Sequence, residues 1–215
     1  MNDNHAYEKY THHRNWFNKL WVAERLGYDC GPSGVAPKET KEYIVRPIYN
    51  LAGMGVGARF QTIEAGSERA TEPGYFWCER FHGRHISASF KFHHGVTGEW
   101  QPVSAFEGFQ DFKEPLTKFK EWYKLGLDWV PEVPRELNEL SDVTLINIEF
   151  IDGKVIDVHL RDTPDPDYIH FIPVWASDLG AKKQYMEENN YDFVVSYDDA
   201  DGHLKDPRIG FLIKN

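Results

Sequence analysis

The chain has 215 residues, 41% hydrophobic and 15% aromatic, enough to bury one sizeable core or two small lobes that share a cleft, and a disordered polypeptide is excluded. Its 34 acidic against 24 basic residues leave a formal net charge of -10, which argues against a broad electrostatic grip on nucleic acid or on an anionic membrane but leaves room for a local cluster that holds a small anion. Cys30 and Cys78 form no CxxC pattern, and the N-terminus carries no apolar leader-like segment, so a soluble, cytoplasmic protein without a disulfide scaffold or zinc ribbon is expected.

Trp16, Leu20, Ala23 and Leu26 recur at helical spacing and predict a helix that Gly27 stops. Beyond the Gly- and Pro-rich "GYDCGPSGVAPKET", the stretch "EYIVRPIYN" predicts a buried strand broken at Pro47. "LAGMGVGAR" is then a glycine-rich turn and "RFQTIEA" the returning strand. "GYFWCERF" and "RHISASFKF" are further strands on either side of His82-Gly83. Pro115 is placed to open a helix with Leu116, Phe119, Trp122 and Tyr123 on one apolar stripe, and "PRELNEL" predicts a shorter one. "VTLINIEFI" and "KVIDVHLR" predict a hairpin, and from "DYIHFIPVW" to "RIGFLIKN" short strands alternate with one helix near 178–188. This mixed order predicts an α+β fold rather than a regular βαβ series.

Two stretches carry candidate chemistry. Gly53, Gly55 and Gly57 follow a strand that ends in Arg46-Pro47, and glycines let backbone amides approach an anion closely. The pattern is neither a P-loop nor a GxGxxG opening a helix, so a plain flexible hairpin competes with a phosphate cover. Arg46 lies among apolar neighbours and, if buried, needs either an anionic ligand or a core carboxylate. In "NIEFIDGKVIDVHLRD", Asn147 and Glu149 share one face of the first strand and Asp157, His159 and Arg161 one face of the second, while Ile146, Ile148 and Phe150, then Ile156, Val158 and Leu160, take the opposite faces. A three-residue loop or a bulge makes Glu149 and Asp157 cross-strand neighbours; a strict Asp-Gly turn with a regular ladder sends them to opposite faces. Two carboxylates so placed suit Mg²⁺, with His159 as a further ligand or water partner and Arg161 extending the positive field; an internal salt bridge is the plain alternative.

The order of these parts resembles the ATP-grasp superfamily. "YIVRP", the lid-like "NLAGMGVGAR", the hinge-like "WCERFHGRHIS" and the hairpin "NIEFIDGKVIDVHLR" follow one another over residues 43 to 162. The resemblance implies two α+β lobes with a nucleotide cleft between antiparallel sheets: an N-terminal helix and loop over 1–42, a glycine-lid lobe over 43–95 and a larger lobe over 96–215. It also implies ATP and Mg²⁺ as cofactors, with Arg46 on phosphate, Gly53, Gly55 and Gly57 over the triphosphate, and Glu79, Arg80 and Phe81 at the adenine hinge. Glu149, Asp157 and His159 then fall at the metal positions, and Arg161 faces the reacting phosphate. Arg46 stands in place of a lysine, Asp157 of a glutamate and His159 of an asparagine. For the second, upstream lysine the candidates are Lys19 and Lys38, without a motif.

The activity so implied joins a small-molecule carboxylate to an amine or thiol through an acyl phosphate, releasing ADP, in a minimal protein similar to those encoded by viruses. With little chain before the glycine strand, a second copy or another partner is expected to supply the substrate site. A phosphotransferase on the same scaffold, a nucleotide-binding module without turnover, and a metal-dependent hydrolase using Glu149, Asp157, Asp165, Asp167 and His170 are the competing readings. The adjacent pairs His12-His13 and His93-His94 are expected at the surface, because neighbouring side chains in a strand point apart. Cys78 and the Trp122, Trp129 and Trp175 set are expected in the core, and His82 and His85 in hinge packing.

Overall fold

The computed structural model describes residues 1–51, 55–95, 98–110, 116, 118–196 and 206–214. Asn2 opens the first helix, its side chain accepting from the His5 amide (3.0 Å), and α1 (Asp3–Lys9) runs into a 3₁₀ turn over Thr11–Phe17. Asn18 then takes an extended backbone, and its side-chain oxygen accepts from the Trp21 amide (2.9 Å), which starts α2 (Lys19–Arg25). The helix expected from Trp16 to Leu26 is therefore two pieces, since the asparagine offers a cap that competes with continuing the helix. Gly27 ends it as expected, at φ +75°.

A four-stranded antiparallel sheet follows, built from β1 (Cys30–Pro32), β2 (Lys41–Pro47), β3 (Arg59–Ile63) and β4 (Tyr75–Glu79) in the order β1-β4-β2-β3. One face buries Tyr43, Val45, Ile63 and Trp77. The other packs Phe76 and Cys78 against Ala23 of α2, with Ile44 beside them. Strand alternation puts Arg46 on that second face, opposite Phe76 in register. Cys30 and Cys78 also oppose one another between β1 and β4, both as free thiols.

The second sheet has eight antiparallel strands in the order β11-β12-β10-β7-β6-β5-β8-β9. In chain order they are β5 (His85–His93), β6 (Glu99–Gln110), β7 (Phe119–Lys124), β8 (Ile146–Ile151), β9 (Lys154–His159), β10 (His170–Trp175), β11 (Asp192–Val195) and β12 (Arg208–Ile213), with α3 (Leu179–Asn189) after β10. β5 pairs with β6 and β8, so the change of sheet falls between Glu79 and His85, and the strand expected within the 43–95 lobe is part of the larger sheet.

One expectation fails here, and one strand was not expected. Leu116, Phe119, Trp122 and Tyr123 do not form a helical stripe: β7 is laddered to β6 on one side and β10 on the other, which buries Trp122 and turns Tyr123 outward. Ladder partners distant in sequence override local apolar spacing; Pro115 lies outside the described residues. β6 has no counterpart among the sequence expectations. Its Pro102 is accommodated at a register shift opposite Phe90, where an extra residue, Val103, is left exposed.

The main core lies under β5, β8 and β9, where Phe150, Ile148, Val158 and Leu160 meet Trp16 and Val22 of the N-terminal segment. Phe150 is fully buried and edge-on to Phe90 at 6.2 Å. Phe150→Ala is expected to cost about 3–5 kcal/mol, read as a lower urea midpoint at unchanged m-value.

Candidate active site

The hairpin resolves the question of register. Asp152 (φ +49°) and Gly153 (φ +77°) form a two-residue turn, pairing Ile151 with Lys154, which on a regular ladder sets Glu149 and Asp157 on opposite faces. A bulge intervenes: Phe150 pairs with Val155 but Glu149 with Asp157, leaving Ile156 as the extra residue. The two acids therefore become direct cross-strand partners. The core set shifts accordingly, with Val155 buried in the place expected for Ile156, which lines the cleft instead.

That cleft, about 580 Å³, lies between the two sheets and falls within the usual range of small-molecule sites. It gathers Arg46, Gly55, Arg80 and Phe81 from the smaller sheet's side, and Glu149, Asp157, His159 and Arg161 from the hairpin. Gly55 (φ +59°) and Gly57 (φ +81°) both need the left-handed region; Gly57 does not line the cleft, and a Cβ there would stand 2.8 Å from the Tyr75 hydroxyl. Gly53 lies outside the described residues. Glu79 is turned away: its carboxylate accepts from the Asp29 amide (3.1 Å), and its own amide donates to the Asp29 carbonyl (2.8 Å). Phe81 stacks edge-on to Tyr28 at 4.8 Å, with the Lys154 ammonium over its ring.

The cations differ in how they are partnered. Arg46 stacks over Phe76 and its buried Nε has no hydrogen-bond partner among the described residues. Arg80 pairs with Glu42 and stacks on Phe60 at 3.8 Å, and its Nε is likewise buried without one. Orphaned guanidinium donors lining a cleft fit an anionic ligand, since a buried donor left unpaired is costly. Arg161 is already met by the Asp3 carboxylate, in a two-pronged contact of 2.8 and 2.9 Å.

Around the acids the charges interlock. Lys19 of α2, buried at 8% exposure, pairs with Asp157. His159 Nδ1 contacts Asp3 at 3.0 Å, while its Nε2 lies 3.6 Å from Glu149 and 4.0 Å from Asp157. His85, between Phe119 and Trp122, brings Nε2 to 3.3 Å from Glu149. Burial alone would push the Glu149 carboxyl up, but His159 and His85 hold it well below the usual carboxylate range. Burial would likewise depress His159, yet Asp3 and Asp157 outweigh it and raise the imidazole to about 10. As an imidazolium it donates rather than ligates, so in this arrangement the oxygen ligands on offer to a metal are Glu149 and Asp157.

Of the cleft residues, sequence reasoning named Lys19 only as one of two candidates without a motif and gave Asp3 no role. Lys19 had a signal: positions 19, 22, 23 and 26 form the inward stripe of α2, and a lysine at its head is a charge on a buried face. Lys38, the other candidate, is exposed. Asp3 had none, being one acid in a polar terminus. Of the hydrolase cluster, Asp165 stays in the cleft but pairs with Arg208 (2.7 Å), while Asp167 pairs with Lys124 (2.6 Å) and His170 with Glu121 (3.1 Å) outside it. Trp122 and Trp175 are buried as expected; Trp129 is 68% exposed.

Raised above its ordinary 6.5, His159 contributes stability that is fully present below that pH and is lost as pH climbs through about 10. Asp3→Asn removes its nearest anion, so the variant is expected to be less stable at pH 6 and to lose less on going to alkaline pH. Urea midpoints across that range check this; a variant falling as steeply as wild type contradicts the pairing.

No family model matches the chain, and no curated protein matches it in sequence. Solved structures match in shape. N5-carboxyaminoimidazole synthetase from Staphylococcus aureus complexed with ADP superposes with TM-score 0.56 at 10% identity, over 94% of this chain and 68% of that one. An ADP complex of N5-carboxyaminoimidazole ribonucleotide synthetase gives 0.57 at 8% identity, over 93% and 67%. The carboxyaminoimidazole ribonucleotide synthase of Aspergillus clavatus complexed with ATP gives 0.51 at 11%, over 98% and 73%. With its two antiparallel sheets and few helices, the chain has the ATP-grasp fold.

Proposed function

We propose that this chain is an ATP- and Mg²⁺-dependent ligase that joins a carboxylate to an amine or thiol through an acyl phosphate and releases ADP. The observation that carries the reading is the meeting of Glu149 and Asp157, opposed across the hairpin, with the orphaned Arg46 donor in a single cleft. ATP-grasp structures of similar shape hold ADP or ATP, which supports a nucleotide in this cleft.

On this reading Glu149 and Asp157 hold the metal, and Arg46 and Lys19 hold phosphate oxygens. Gly55 lets the lid backbone approach the phosphates, and Phe81 with the Glu79–Arg80 backbone borders the base. Arg161 faces the reacting groups once Asp3 yields it. Mg-ATP supplies the phosphoryl group that turns the acid's oxygen into a leaving group. The protein's work is to bring two anionic reactants together, to oppose their charge with fixed cations and to keep water out. His159 and Lys19, now paired to the two acids, would turn toward incoming anions if the carboxylates held a metal.

Purified protein given Mg²⁺, ATP and pooled acids and amines is expected to release ADP together with a condensation product detected by mass. Glu149→Gln and Arg46→Ala are each expected to lower ADP release by about 100-fold or more with the circular dichroism unchanged. A stable phosphorylated product without condensation indicates a phosphotransferase. A nucleotide-dependent thermal shift without ADP indicates a binding module. Full activity of Glu149→Gln overturns the metal assignment.

A further inference from the structure

Away from the cleft, a second group of ligating side chains is assembled by the N-terminal segment. His12 and His13 are adjacent, an arrangement that in a strand or regular helix separates two side chains. Here they sit in the 3₁₀ turn Thr11–Phe17, and His13 departs from helical geometry (φ -107°, ψ 15°). The kink turns both imidazoles to one side, with ring centroids 4.1 Å apart. Both reach the same carboxylate: His12 Nε2 lies 2.9 Å from Asp142 Oδ2 and His13 Nε2 2.7 Å from Asp142 Oδ1. Among the described residues this is the one group of three His, Cys, Asp or Glu side chains whose ligand atoms all lie within 4.8 Å of one another.

We propose that His12, His13 and Asp142 form a site for a divalent transition metal of the zinc class. Two imidazole nitrogens and one carboxylate oxygen are the donor set that borderline cations such as Zn²⁺ prefer, whereas Mg²⁺ and Ca²⁺ favour all-oxygen sites. With bonds of about 2.0–2.1 Å, ligand atoms of a tetrahedral centre stand about 3.3 Å apart, so the two imidazole–carboxylate contacts would open by about half an ångström while the separations lying within 4.8 Å would draw in. The asymmetry of the site allows that movement: His13 is buried and fixed, while His12 and Asp142 have side-chain exposures of 61% and 54% and are free to adjust. The exposed side leaves the remaining coordination position to water.

The site's place in the fold gives it a consequence. Asp142 lies in the connection before β8, next to Glu139, which accepts from the Trp16 indole (2.6 Å) and pairs with Arg25 (3.2 Å). A metal at His12, His13 and Asp142 adds a second clasp between that connection and the segment that carries Asp3 and Lys19 into the cleft. Binding is thus expected to stabilise the folded chain by linkage.

The test is a zinc titration of metal-stripped protein in excess Mg²⁺, by calorimetry and by thermal unfolding. It compares wild type with His12→Ala, Asp142→Asn and Glu149→Gln. Wild type and Glu149→Gln are expected to bind one zinc and to gain thermal stability with it. His12→Ala and Asp142→Asn are expected to bind at least about tenfold more weakly, with no thermal gain. Because His12 and Asp142 are largely exposed, neither change threatens folding. Absence of saturable zinc binding in wild type, or equal affinity in all four proteins, overturns the proposal; loss in Glu149→Gln alone overturns it too, by placing the ion in the cleft.

Discussion

Two carboxylates held side by side on a half-buried sheet face repel one another, and the rest of the site is arranged to answer that repulsion. Glu149 and Asp157 are opposed because β9 carries one extra residue, Ile156, against β8. Without compensation the pair would take up a proton or open the hairpin. Lys19 from α2 and His159 from β9 supply positive charge, and Asp3 from α1 balances His159 and Arg161 in turn. Asp3, Glu149 and Asp157 therefore face Lys19, His159 and Arg161, with His85 also set against Glu149. The N-terminal helices are tied to the large sheet by these charges as well as by the packing of Trp16 and Val22.

The same constraint explains what could be read in advance. The polar face of the hairpin was legible because period-2 alternation survives in sequence, and most of its apolar positions are the buried ones. The bulge was legible only as a condition: sequence stated that the acids meet if the register slips by one, and nothing in "IDGKVID" says where it slips. Ile156 and Val155 are both β-branched and apolar, so the choice of which to bury is made by the bulge and not by their chemistry. The helix from Trp16 was half right for a similar reason. Its apolar spacing is real, but a single asparagine at 18 restarts the helix, and that restart puts Lys19 in the first turn of α2 facing Asp157.

What was not legible depends on contacts between distant segments. The apolar spacing from Leu116 to Tyr123 fits a helix as well as an edge-and-face strand, and only β6 and β10 on either side settle it. Asp3 lies 156 residues from His159 in sequence, and no local pattern marks a terminal acid as the partner of a remote imidazole. His12 and His13 illustrate the opposite error. The rule that adjacent side chains diverge holds for regular strands and fails where one residue leaves helical geometry, as His13 does.

Ligand binding in the proposed cleft is then an exchange of partners rather than the filling of an uncharged space. Asp3 already presents a carboxylate to Arg161, and Lys19 already presents a cation to Asp157, so the protein's own ions occupy the positions that a substrate anion and a divalent cation would take. Removing one buried partner alone leaves an unpaired charge and is strongly unfavourable. On the proposed reading, replacing both at once would conserve charge balance: a metal held by Glu149 and Asp157 would free Lys19 and His159 for an incoming anion, and an anion on Arg161 would free Asp3. On the proposed reading, metal and anion would therefore enter together more readily than either would alone, a coupling set by the opposed charges of the cluster.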